Sequence, residues 1–376
     1  MIYDVAVVGA GILGLAHALA AARRGKRVVV IDRDAFAAGA SIRNFGFVTV
    51  TGQEAGDCWT LARRSRDVWA EVAAAAKIPI LHEGLIVTAR YPEAEAVIDA
   101  FLATGMGAEC ERLTAEAART RCPSLRADGV TAALYSPHEL RVESKTALPA
   151  LARWLAEAHG VAFRWSTLVT AVDTPVLETI GGRIEAETVI VCPGDGFQGL
   201  FADRIAAYKP TRCKLQMMRV VPERPVRLGS AVMSDHGLAR YRGYADLPAA
   251  APLKDRLDRE QRAKREHGVH LIVVQSGDGS LVVGDTHEYG ETLDPFVSDE
   301  LNGLVLDELD TVLDLGARRV SETWLGTYAS AADRWRFTDA PDDATRVVVV
   351  TAGCGASTAF GIGEETIGDL FGRNAG

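Results

Sequence analysis

Cysteine is sparse in this chain, and the six residues present (Cys58, Cys110, Cys122, Cys192, Cys213 and Cys354) make no C-x-x-C pair and follow no regular spacing. That usage fits a reducing cytoplasm and predicts buried, unpaired thiols. The eight histidines gather in no ligand cluster. His267 and His270 stand three apart but straddle Gly268, which breaks helical pairing, so no metal is expected. Basic residues are outnumbered, 41 Lys and Arg against 50 Asp and Glu, for a net charge of −9. Neither a nucleic-acid surface nor an anionic membrane is therefore an expected partner. Val5 to Ala22 is apolar, yet no basic segment precedes it, Asp4 stands in front and glycines interrupt it, so neither a targeting segment nor a membrane span is predicted. Internal repeats and low-complexity linkers are also missing.

What is present is a globular composition, 48% apolar and 24% charged, on 376 residues, a length that suits two domains. The opening stretch YDVAVVGAGILGLAHALAAARRGKRVVVIDRD organises the rest. An apolar run ends at Gly9; Gly11, Ile12 and Gly14 lead into a helical segment; a second apolar run, Val28 to Ile31, ends at Asp32 and Arg33. Gly9 permits a tight turn, Gly11 lets backbone approach a pyrophosphate, and Gly14 lets the helix lie close on the strand. The pyrophosphate would sit at the positive end of the helix, with Asp32 accepting hydrogen bonds from a ribose diol. The unit predicts a bound adenine dinucleotide.

The loop after Asp32 carries Ser41, Arg43, Asn44 and Gly46, where a long dinucleotide would continue across the sheet. Helices are predicted over Asp57 to Ala76, Glu93 to Thr104 and Ser144 to His159, the last with Leu148, Leu151, Trp154 and Leu155 on one face and Gly160 beyond its end. Val189 to Cys192 reads as a buried parallel strand running into Pro193 and Gly194. From Thr211 to about Val320 the texture changes to short strands and turns, which predicts an antiparallel sheet. Lys254 to His267 reads as a solvated helix, and Arg240, Tyr241, Arg242 and Tyr244 as an alternating strand with both arginines on one face. The final segment, Val347 to Val350 followed by Gly353, Cys354, Gly355, Ser357 and Thr358, returns to the nucleotide-binding texture, which favours a long cofactor touched from both ends of the chain.

With these motifs in order, the sequence resembles the D-amino-acid oxidase family of flavoproteins, which includes glycine and sarcosine oxidases. The opening stretch resembles its FAD fingerprint, ETVIVCPGDG its second flavin strand, and TWLGTYASAADR and VVVVTAGCGASTAFGIG the segments enclosing the flavin ring. The resemblance implies an α/β fold in which a Rossmann-like FAD-binding domain (1–82, 140–210 and 320–376) interleaves with an antiparallel-sheet substrate domain (83–139 and 211–319), as in p-hydroxybenzoate hydroxylase. Where covalent members carry histidine this chain has Asn44, and residues 327–332 contain no cysteine, so non-covalent FAD is expected. Tyr328 occupies the place of the arginine with which members commonly clamp a substrate carboxylate, and Arg240, Tyr241 and Arg242 are candidates to replace it.

That pattern looks most like a branch associated with phosphonate breakdown. It implies oxidation of a small anionic amine, an aminophosphonate or its N-methyl form, with molecular oxygen or another electron acceptor. Oxidation of glycine, sarcosine or a D-amino acid, and dehydrogenation of a 2-hydroxy acid, are the alternatives. Arg43, Lys209 and Lys214 are candidates for a positive charge that assists oxygen.

Overall fold

The computed structural model describes residues 2–372, and among these the strands form two sheets. The first has eight strands and is built on the opening motif. Ile2–Val8 pairs in parallel with Val28–Ile31 on one side and with Gly182–Val191 on the other, and Gly182–Val191 pairs in parallel with Thr345–Val350. Val28–Ile31 is buried throughout, as expected for a parallel strand covered on both faces. The helix Ile12–Ala22 packs on this sheet because Gly14 has no side chain: a Cβ there would stand 1.8 Å from the Gly9 carbonyl oxygen.

The C-terminal helix Gly355–Phe371 lies beside the first helix and is tied to Asp57–Ala75. Trp69 Nε1 donates to the Ala356 carbonyl at 2.8 Å, and Gly361 N–H donates to Ser65 Oγ at 2.8 Å. The amphipathic helix Ser144–His159 has the bounds read from the sequence, ending at Gly160 with φ 65°. The parallel sheet therefore collects strands from the start, middle and end of the chain.

The second sheet has ten strands, mostly antiparallel. Its longest seam joins Thr211–Pro222 to Arg318–Ser330, with Cys213 opposite Tyr328. Arg318–Ser330 and the short strand Phe47–Val48 thus lie in this sheet, although the sequence reading assigns Phe47–Val48 and the strand from Val320 onward to the FAD-binding domain.

Two local expectations are corrected. Lys254 to His267 is not one solvated helix but two, Ala250–Glu260 and Arg262–Glu266, and Lys264 turns inward to bind Glu308 Oε2 at 2.8 Å. Ser234 to Tyr241 is not a strand. It runs through turns, with Gly237 N–H donating to Ser234 O and Tyr241 N–H to Gly237 O, both at 2.9 Å, and enters the short helix Arg242–Ala245. No helix of the described residues is long and apolar enough to cross a membrane.

Candidate active site

Between the two sheets lies a cavity of about 470 Å³. Two helix N-termini open onto it, that of Ile12–Ala22 through Gly11 and Ile12, and that of Gly355–Phe371 through Gly353, Gly355 and Ser357. Each brings partial positive charge to one wall. Ile12 N–H donates to Ser41 Oγ at 3.0 Å, so the loop after the second strand already engages the first helix where an anionic group would approach. Ala10 faces a second, apolar hollow of about 340 Å³ with Phe36, Leu148, Phe163 and Trp165. Ala10 and Gly11, neighbours in the glycine turn, thus line the hollow and the cavity respectively.

Of the cofactor residues expected from the sequence, Gly11, Ile12, Gly14, Ser41, Asn44, Gly194, Gly353, Gly355 and Ser357 line the cavity, whereas Gly9, Asp32, Arg33, Gly46 and Thr358 do not. Gly9 has φ 106° and forms the tight turn. Asp32 accepts the N–H of Ala10 at 2.6 Å and that of Asp34 at 2.9 Å, holding the turn in shape. The Arg33 side chain is exposed beside Asp34. At Gly46 a Cβ would meet the Val142 carbonyl oxygen at 1.9 Å, so its role is backbone contact. Thr358 Oγ1 donates to the Cys354 carbonyl within the helix at 2.9 Å. Asn44 bonds to protein on both sides of its amide: Nδ2 donates to Ala40 O at 2.8 Å, and Oδ1 accepts Gly46 N–H at 2.7 Å.

The far end of the cavity is polar. Arg240 and Tyr241 reach it from the turn segment, Tyr328 from the long seam, and Tyr289 from the second sheet. Arg240 Nη2 donates to the Tyr289 hydroxyl at 2.8 Å. Arg242 lines the cavity too, but its guanidinium is already paired, with Glu54 at 2.8 Å and Asp246 at 3.0 Å. Of the candidates for assisting oxygen, Arg43 lines the cavity while Lys209 and Lys214 do not, Lys214 being paired with Glu288 at 2.7 Å.

Among the lining residues that the sequence reading did not name as site candidates are His270, Asp285, His287 and Tyr289. Their signal was alternation. Asp285, His287 and Tyr289 follow the strand Leu281–Gly284 at intervals of two, which places them on one face of an extended chain. His270 does not pair with His267; it joins Asp285 and His287, drawn from the neighbouring antiparallel strand. Burial pushes the Asp285 carboxyl up to about 8, against the opposing pull of Arg240. Burial, then the Arg240 charge, holds both His270 and His287 well below the usual imidazole range.

The profile of the family described as FAD dependent oxidoreductase matches residues 4–368, nearly the whole chain. The chain belongs to this family. Its cofactor is FAD, and the glycine turn and the two helix N-termini on the cavity fit that group.

This FAD-dependent oxidoreductase is 27% identical over 205 residues to a glycine oxidase of Geobacillus kaustophilus (strain HTA426), a match covering 51% of this chain and 54% of that protein. The chain thus spans about half the length of that curated relative. Among solved structures, L-proline dehydrogenase from P. horikoshii superposes with a TM-score of 0.79 at 18% identity, over 98% of this chain and 93% of the other. Iminodiacetate oxidase from Chelativorans sp. BNC1 superposes with a TM-score of 0.72 at 20% identity, over 99% and 96%. At these identities the superpositions show a common fold.

Proposed function

We propose that this oxidoreductase oxidises a small anionic amine, an aminophosphonate or its N-methyl derivative. The carbon beside nitrogen loses a hydride and the nitrogen a proton. Water then adds to the resulting C=N bond and releases a carbonyl compound with ammonia or methylamine. FAD, when bound, supplies the two-electron acceptor for that hydride, and molecular oxygen or another acceptor takes the electrons afterwards.

The observation that carries this reading is the polar end of the cavity. A guanidinium and the hydroxyls of Tyr241, Tyr289 and Tyr328 share one wall, and tyrosine stands where the family commonly places a carboxylate clamp. A planar carboxylate suits a two-pronged guanidinium, whereas a tetrahedral phosphonate suits donors arriving from several directions. Arg240 would hold the anionic group and orient the C–H bond, while Phe45, Phe47, Leu215 and Ile272 line the same cavity with apolar surface that limits water. Gly11, Ile12 and Ser41 would hold the pyrophosphate, and Gly353, Gly355 and Ser357 the flavin end. FAD would be bound non-covalently, since the side chain of Asn44 is already bonded to protein and residues 327–332 hold no cysteine. The first sheet with its helices would serve as the FAD-binding unit and the second as the substrate unit.

The relatives named for glycine and for iminodiacetate support a second reading, an amino-acid or iminodiacid substrate at the same Arg240. Incubating the FAD-loaded enzyme in air with aminoethylphosphonate and its N-methyl form tests the first. Aldehyde with ammonia or methylamine is the expected product. Turnover of glycine or sarcosine alone would replace it with the second reading.

A further inference from the structure

The reading above leaves His270, Asp285 and His287 without a task. They line the same cavity and are nearly closed to solvent, at 3%, 3% and 8% exposure. The facing strands bring them together: His270 N–H donates to the Asp285 carbonyl at 3.3 Å, and Asp285 N–H returns a bond to the His270 carbonyl at 3.0 Å.

His287 is oriented by backbone, whereas His270 and one oxygen of Asp285 are unsatisfied. His287 Nδ1 lies 2.9 Å from the Gly268 carbonyl oxygen, which can only accept, so Nδ1 carries the proton and Nε2 a bare lone pair. That lone pair faces Asp285 Oδ2 at 3.8 Å. His270 Nδ1 lies 3.1 Å from Asp285 Oδ1 outside hydrogen-bonding geometry, and neither these two atoms nor His270 Nε2 has a hydrogen-bond partner among the described residues.

A shared proton requires a separation of about 3.2 Å or less, which the His287 gap exceeds. Two metal–ligand bonds of about 2.1 Å each bridge up to about 4.2 Å. The three ligand atoms lie within 4.8 Å of one another, so closure around an ion needs only a small inward shift.

We propose that His270, Asp285 and His287 bind a divalent first-row transition ion with a coordination position open to the cavity. Two imidazoles and one carboxylate are the donor set of zinc and ferrous iron, whereas calcium and magnesium take oxygen ligands. The His287–Gly268 bond is the outer contact that fixes a ligating imidazole. The other buried cluster of this kind, Asp235, His236 and Glu308, differs in that Arg90 and Lys264 already occupy its carboxylates. In the cavity, a divalent ion and Arg240 against one carboxylate leave two positive charges, the complement of a phosphonate dianion. That last role rests on the substrate reading above; ion binding does not.

The test is the metal content of the FAD-loaded full-length enzyme, followed by titration with Zn²⁺ after chelator treatment. One ion per chain is expected. Its affinity should fall more than about tenfold in both His287→Gln and Asp285→Asn, with flavin content and melting temperature reporting that each variant is folded. Wild-type enzyme that takes up no Zn²⁺ at micromolar concentration overturns the proposal, as does stoichiometric binding that survives in both variants. Failure of the substrate reading would appear in the product assay and leave the metal content unchanged.

Discussion

Arg240 Nη2 donates to the hydroxyl of Tyr289 at 2.8 Å, a bond joining the turn segment to the second sheet across the polar end of the cavity. It fixes one face of the guanidinium and leaves its other donors for an anion. Arg240→Ala should raise KM for an anionic amine about 10- to 100-fold, the equivalent of about 1.5–3 kcal/mol for hydrogen bonds to a charged group. The oxidised flavin spectrum should not change. Arg240→Lys should recover part of the loss, since it restores charge without the fork. Steady-state kinetics on both variants check this.

Gly14 has the tightest backbone approach along the nucleotide turn, so its replacement should act on both fold and cofactor. Gly14→Ala places a methyl 1.8 Å from the Gly9 carbonyl oxygen as the helix now lies. Moving the helix to relieve the clash should cost about 1–3 kcal/mol. The purified variant is expected to melt lower and to carry less FAD per chain, read from the ratio of visible to ultraviolet absorbance.

Denaturing the holoenzyme in acid should release all of its FAD to the supernatant. The Asn44 amide is held by Ala40 and Gly46, and residues 327–332 offer no thiol. Flavin fluorescence that stays with the precipitated protein would show a covalent bond.

Glu308 anchors a buried network far from the flavin turn. Its carboxylate meets Arg90 at 2.7 Å and Lys264 at 2.8 Å, with His236 at 3.9 Å, and Arg90 also binds Asp235. Burial pushes the Glu308 carboxyl up, but His236, Arg90 and Lys264 together outweigh that and hold it below its ordinary value of 4.5. A carboxyl lowered on folding stabilises the protein above its unfolded pKa, and that stability disappears as pH falls through the folded one. Glu308→Gln should therefore destabilise by about 3–5 kcal/mol at neutral pH, because buried Lys264 loses its carboxylate and Arg90 keeps only Asp235. The gap to wild type should narrow below about pH 4, as measured by denaturant melts across pH.

The parts of this molecule that were legible in the sequence are those whose cause is local. Gly9, Gly11 and Gly14 between two apolar runs, and the periodic face of Ser144–His159 closed by Gly160, specify their own geometry. Arg240 was legible as a candidate, but its setting was not. The alternation of arginine and tyrosine resembles a strand, whereas the chain there is bent into turns and pinned by Asp235 to Arg90, 145 residues away. The strand expected at Arg242 is for the same reason a short helix. The His270, Asp285 and His287 group is a product of strand pairing, and its members look unrelated until the two strands face each other.

The most direct test of the central claim is anaerobic reduction of the bound flavin, followed by absorbance at about 450 nm, with glycine, sarcosine, D-alanine, lactate, aminoethylphosphonate and its N-methyl form offered separately. Bleaching by the phosphonates, slowed in Arg240→Ala at subsaturating substrate, is the expected result. Bleaching by lactate alone, or by the amino acids with the phosphonates inert, would contradict it.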